Sequence, residues 1–115
     1  MALYKLNRFD LKLTDDDGWR IEIPGLPELT EVGGKRGYTK DENDRLIPMY
    51  GSGSGDKDSS GNGFLTGQDF VEIIQYAKER NIEVIPQISF PSHARAAIKA
   101  MNQANITSEQ ILTVR

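Results

Sequence analysis

The chain contains no cysteine. That excludes a disulfide framework, a thiolate metal centre and a thiol nucleophile, and it suits any redox compartment. A basic excess is also missing: 14 Lys and Arg stand against 17 Asp and Glu, a net charge of −3. Neither nucleic acid nor an anionic membrane is therefore expected as a partner. No long apolar run occurs, and Met1-Ala-Leu-Tyr-Lys-Leu6 has none of the features of a signal peptide or a membrane span. On that basis the chain is expected to be cytoplasmic if expressed as it stands, or to be cut from something larger. Apolar content is 37% and mean hydropathy −0.51, which is polar for a self-sufficient domain. A length of 115 residues fits one domain, 1–115, with a modest core.

What is present centres on Asn7-Arg-Phe-Asp-Leu-Lys-Leu-Thr-Asp-Asp-Asp-Gly-Trp-Arg20. Phe9, Leu11 and Leu13 alternate with Asp10 and Lys12, as in a strand over about 7–14. Asp15, Asp16 and Asp17 follow at its carboxyl end, where α/β proteins place their active sites. A second stretch, Ile82-Glu-Val-Ile-Pro-Gln-Ile-Ser-Phe-Pro-Ser-His93, repeats the arrangement with a histidine at its end.

In chain order, residues 2–6 suggest a helical turn or lead-in, with Leu3 and Leu6 placed to face a core. From Asp15 to Gly63 the chain is mostly irregular, broken by Pro24, Pro27 and Pro48. Trp19-Arg-Ile-Glu-Ile23 alternates like a short strand. Residues 51–63 have the Gly/Ser-rich composition of a flexible loop. A loop this long in a compact domain is usually functional or partly disordered. Thr66 and Asp69 approximate a capping box. Phe70, Ile73, Ile74 and Ala77 then mark one buried helix face. Asn81 is a C-terminal stop. Residues 82–88 form an apolar, β-branched run, which predicts a parallel strand covered on both faces. Ser92 is placed to cap a second helix with Ala94, Ala97, Ile98 and Met101 inward, ending at Asn105. Residues 107–114 suit either a short helix or a strand. The order is βαβα, an α/β unit of about two βα repeats with parallel strands and a long loop after the first. Its few strands leave open edges, so self-association is expected.

A calcium site is a competing possibility. Asp58, Ser60, Asn62, Thr66 and Asp69 occupy positions 1, 3, 5, 9 and 12 of an EF-hand-like loop, with Gly63 at position 6. Position 12 is Asp rather than the bidentate Glu, and no entering helix precedes the loop.

Two motifs carry a family resemblance. Tyr4-Lys5-Leu6-Asn7-Arg8-Phe9 with Leu13-Thr14-Asp15-Asp16-Asp17-Gly18-Trp19-Arg20, and Ile82-Glu83-Val84-Ile85-Pro86 running to Pro91-Ser92-His93, resemble the family 20 glycoside hydrolases. These are the β-N-acetylhexosaminidases, including bacterial chitobiases. The resemblance covers about residues 3–101. It implies a (β/α)₈ barrel, of which this chain is a part near the second and third βα units. It also implies cleavage of terminal N-acetylglucosamine or N-acetylgalactosamine by a substrate-assisted route, with no cofactor.

This sequence departs from the family pattern at several positions. The two histidines of the first family strand are Asp10 and Lys12 here. The family's Glu is Gln87, and its Asp before the last Pro-x-His is Ser89. The catalytic Asp-Glu pair of the family's Gly-Gly-Asp-Glu motif is absent, and Asp41-Glu42 lies in another context. Asp15 and His93 match supporting residues of the family's relay to its general acid. The remnant site expected is therefore Asp15 and His93, with Trp19 either stacking on an amino sugar or anchoring the loop. The chain is expected not to hydrolyse N-acetylhexosaminides alone. It is expected to bind a saccharide weakly or to act as a self-assembling module.

Overall fold

The computed structural model describes residues 1–55 and 59–113, with backbone only from 106 onward. A short 3₁₀ turn, Ala2–Tyr4, leads into strand β1, Arg8–Lys12. The long loop contains one helical turn, α1, Glu28–Glu31. Helix α2 spans Gly67–Lys78, strand β2 Glu83–Gln87 and helix α3 Arg95–Thr113. The strands pair in parallel, with Phe9 opposite Val84 and Leu11 opposite Pro86. The βαβα order of the sequence is thus present, with α1 added inside the loop.

The capping box at α2 forms in full. Thr66 accepts from the Asp69 amide, and the Asp69 carboxylate accepts from the Thr66 amide at 2.8 Å. Ala77 on the expected face is buried, while Ile73 is half-covered and Ile74 largely open. The helix ends where Asn81 turns left-handed, at φ 54°.

Five expectations change. The second strand is not covered on both faces: Ile85 is 42% exposed and Ile88 51%. The cause is topological, because α2 lies on β2 while α3 packs on α1 instead of on the sheet. The apolar face of α3 is rotated accordingly. Ala96 and Ala100 are buried and Ile98 is 57% exposed, since only small residues let α3 approach α1 closely. Asn105 does not end α3, which continues to Thr113. Leu3 and Leu6 face solvent. The Trp19–Ile23 segment makes single bridges, Thr14 to Trp19 and Ile21 to Leu65, rather than a strand.

The main apolar cluster lies beneath the loop. Leu29, Val32 and Ala100 form it, with Trp19, Ile23, Ala97 and Met101 packed around them. The molecule is elongated. Its radius of gyration is 16.5 Å, against about 13 Å for a compact chain of this length.

Polar contacts hold the long loop in shape. Arg36 is 4% exposed. Its guanidinium donates to the carbonyl oxygens of Asp17 and Ile47 and to the Asp17 carboxylate at 2.8 Å. Arg20 donates to the carbonyls of Gly34, Gly61 and Gly63. It therefore grips backbone rather than an acid, and burial together with the nearby Arg36 lowers its pKa from the usual value. Within the described part of the Gly/Ser-rich segment, Ser52 and Gly61 are buried while Gly51, Gly53, Ser54, Ser60 and Gly63 are exposed. Gly37 and Gly55 approach so closely that a Cβ on Gly37 would stand 2.5 Å from the Gly55 Cα.

Candidate functional site

The carboxyl ends of β1 and β2 converge because the ladder continues past both strands. The Leu13 amide donates to Gln87 O at 3.0 Å. The Ser89 amide donates to Thr14 Oγ1 at 2.9 Å, and Ser89 Oγ donates to Thr14 O at 3.0 Å. Beyond this point β1 turns sharply through Asp15–Gly18, where the Asp15 amide donates to Gly18 O. The segment after β2 turns toward α3 through His93, whose φ is 55°.

His93 meets an acid there, and the acid is Asp16. Its Nδ1 lies 2.8 Å from Asp16 Oδ2. Asp15, the residue expected from the sequence, faces elsewhere. Its carboxylate accepts from the Asp17 amide at 2.8 Å and pairs with Lys12 Nζ at 3.2 Å. The turn thus folds Asp15 back onto its own strand and projects Asp16 toward the second strand end. Asp16 Oδ1 also accepts the Arg95 amide at 3.1 Å, so Asp16, not Ser92, caps α3. The His93 and Arg95 bonds hold the Asp16 carboxyl below its ordinary value.

Trp19 sits in the loop core. Its indole N–H donates to Ile21 O at 2.6 Å and its ring packs on the Leu29 cluster. That is the anchor arrangement of the two readings. A cleft of about 240 Å³ lies beside the turn, lined by Lys12, Leu13, Thr14, Asp15, Asp17, Gly18, Arg20 and Arg36. Asp10 and Lys12 are exposed on one face of β1, opposite Ile85 and Gln87.

Of the calcium-loop residues, Asp58 lies outside the described residues. Asn62 Oδ1 accepts the Arg36 amide at 2.8 Å. Ser60 Oγ donates to Gly51 O. Asp69 is engaged by Thr66. Among the described residues no group of three or more His, Asp or Glu side chains is gathered as a metal centre. No described helix is long and apolar enough to cross a membrane.

One residue missed in the sequence is Glu42. It is 9% exposed and sits in the left-handed region at φ 61°. Its carboxylate receives Arg95 Nη2, Lys99 Nζ at 3.0 Å and the Ile47 amide at 3.2 Å. Burial pushes this carboxyl up, but the Lys99, Arg95 and Ile47 bonds outweigh it, and the net direction is down. A left-handed acid in a polar loop has no periodic signal in sequence. Its only mark is the basic pair four apart on α3.

Residues 1–114 match the model of glycosyl hydrolase family 20, catalytic domain. The chain is 56% identical over 101 residues to the N,N'-diacetylchitobiase of Vibrio harveyi, covering 88% of this chain and 11% of that protein. It is 48% identical over 101 residues to the beta-hexosaminidase of Vibrio vulnificus, covering 88% of this chain and 12% of the relative. The chain therefore spans about an eighth or less of these relatives. Among solved structures, the GH20 exo-β-N-acetylglucosaminidase of Vibrio harveyi in complex with N-acetylglucosamine superposes with a TM-score of 0.75 at 42% identity. That match covers 88% of this chain and 15% of the enzyme. The Streptomyces plicatus N-acetyl-β-hexosaminidase in complex with Thio-NAglucal superposes at 0.60 with 34% identity, covering 84% of this chain and 15% of that one. Two parallel strands whose carboxyl ends carry an acid–histidine pair, together with these matches, place the chain in the catalytic domain of glycosyl hydrolase family 20.

Proposed function

We propose that this chain carries two strand ends of an N-acetylhexosaminide site, binds a terminal N-acetylhexosamine weakly, and does not cleave the glycosidic bond by itself. The Asp16–His93 pair at 2.8 Å supports this most directly. A carboxylate at Nδ1 fixes the imidazole so that Nε2 is the acceptor of the neutral ring, and it stabilises the charged ring as well. Such a pair positions and tunes a neighbouring acid or hydroxyl. The neighbouring cleft, lined by Asp15 and Asp17 rather than by Asp16 or His93, holds about 240 Å³, below the roughly 300–1,000 Å³ of ligand pockets that enclose their guests, which supports weak rather than tight binding.

Cleavage needs a proton delivered to the leaving oxygen, a contribution of about 10²–10⁴-fold. The only adjacent Asp-Glu in this chain, Asp41-Glu42, does not supply it. Glu42 is buried, clamped by two cations and held ionised, so it has no proton to give near neutral pH. The test is an NMR titration with N-acetylglucosamine, read at the ring of His93, the chain's one histidine. Saturable shifts for the acetamido sugar, much larger than those for glucose, are expected. Unmoved His93 signals contradict binding.

Exposed apolar residues favour a second property, self-association. Ile85, Ile88 and Phe90, the last 86% exposed, lie along and just past β2, and each strand of a two-stranded sheet is an edge. A homodimer that covers this face is expected in light scattering, and a clean monomer at high concentration contradicts it.

A further inference from the structure

Among the described residues, four non-glycine residues adopt positive φ: Lys5, Glu42, Asn81 and His93. Lys5 caps the 3₁₀ turn and Asn81 follows α2, where left-handed residues are ordinary helix stops. Glu42 and His93 end no helix. A hydrogen-bonded path joins them. Glu42 receives Arg95 Nη2, the Arg95 amide donates to Asp16 Oδ1, and Asp16 Oδ2 meets His93 Nδ1. We infer that Glu42 is a positioning residue for the Asp16–His93 pair, acting through Arg95.

Geometry supports this assignment over simple loop docking. Lys99 lies one helical turn beyond Arg95 and binds the second oxygen of the same carboxylate at 3.0 Å. Two cations on one face of α3 thus close on a single acid from the loop. The Arg95 link, at the first turn, fixes the rotation of the helix about its axis there, while Lys99 holds the next turn to the same acid. That rotation sets where the Arg95 amide points, and Asp16 uses this amide to aim its other oxygen at His93. Glu42 is itself held from behind, because its amide donates to Thr39 Oγ1 at 3.1 Å and its carboxylate accepts from Ile47. A long loop therefore reports directly to the strand ends. The assignment concerns the pair's geometry in the ligand-free chain, and only its consequence for sugar rests on the proposed function.

The experiment uses the 115-residue chain with ¹⁵N-labelled histidine and uniform amide labelling, comparing wild type with Glu42→Gln and Lys99→Met. Glu42→Gln is expected to change the His93 ring nitrogen shifts and to speed exchange of the Arg95 amide on the order of tenfold, the effect of weakening a charged hydrogen bond. Lys99→Met leaves the Arg95 link in place and is expected to move both signals much less. If Glu42→Gln fails to fold, Arg95→Lys replaces it, because it keeps the amide and the charge but loses the guanidinium reach; the His93 shifts are expected to move in that variant too. Unchanged His93 ring shifts in the folded variant overturn the assignment, as does an equal effect of Lys99→Met. N-acetylglucosamine is then added. A His93 signature that responds to Glu42→Gln but not to the sugar leaves the positioning role standing and removes the saccharide site instead.

Discussion

Thr14 and Ser89 close the two strand ends with a reciprocal pair of hydrogen bonds. The Ser89 amide donates to Thr14 Oγ1 at 2.9 Å and Ser89 Oγ donates to Thr14 O at 3.0 Å. Thr14 is buried, so its hydroxyl has no water to replace the amide. Thr14→Val keeps the shape and removes the acceptor. It is expected to cost about 1–3 kcal/mol, the range for a donor left unsatisfied. Ser89→Ala removes one bond and is expected to cost about 1 kcal/mol. Urea denaturation is expected to show a loss in each single variant and a larger one in the double, since each substitution removes a different side chain-to-backbone bond. A double variant as stable as wild type contradicts the clasp.

Arg36 ties the turn after β1 to the far part of the loop. Three of its donors reach Asp17 and Ile47, and its side chain is almost fully covered. Arg36→Lys keeps the charge but cannot reproduce a planar fork. A loss of about 2–4 kcal/mol in chemical denaturation is expected, as for other broken buried networks. A change within about 0.5 kcal/mol, the usual surface effect, contradicts the anchoring role.

Acid is expected to loosen the loop and the strand ends together. Asp16 is lowered by its His93 and Arg95 bonds. Glu42 is raised by burial but lowered on balance by Lys99, Arg95 and Ile47. Asp44 likewise is lowered by Arg45 and Thr39 against burial. A carboxyl lowered on folding adds stability that is complete above its unfolded value, near 4, and is lost as pH falls through the folded value. Denaturation midpoints are therefore expected to be flat above about pH 5 and to fall below about pH 4. Glu42→Gln is expected to flatten that fall. A midpoint that rises on acidification contradicts these assignments.

The capping box gives the simplest local test. Thr66→Ala removes the acceptor of the Asp69 amide and is expected to cost about 1 kcal/mol. Thr66→Ser keeps the oxygen and is expected to restore most of that loss.

What the sequence made legible follows from how each feature is held. Helix α2 was readable because its cap and its period-3.6 face lie within twelve residues. Strands β1 and β2 were readable from alternation and from the β-branched run. The face of α3 was not, because it is chosen by α1, a single turn inside an irregular loop. The loop's contacts were not readable either. Arg20 and Arg36 hold it through carbonyl oxygens up to 43 residues away, and a carbonyl carries no residue identity. At the site, His93 and an acid at the first strand end were legible. Which of three consecutive acids meets the ring was decided by the turn: Asp15 bonds the Asp17 amide, Asp17 bonds Arg36, and Asp16 is left to face His93.

The most direct measurement of the central claim is hydrolysis of 4-nitrophenyl N-acetylglucosaminide by the purified 115-residue chain, run beside His93→Ala. With Glu42 clamped as an ion and no other Asp-Glu pair in the sequence, release of nitrophenol at the buffer rate is expected for both proteins. Enzymatic turnover by the wild type that is abolished in His93→Ala would show that the chain cleaves by itself and would contradict the account.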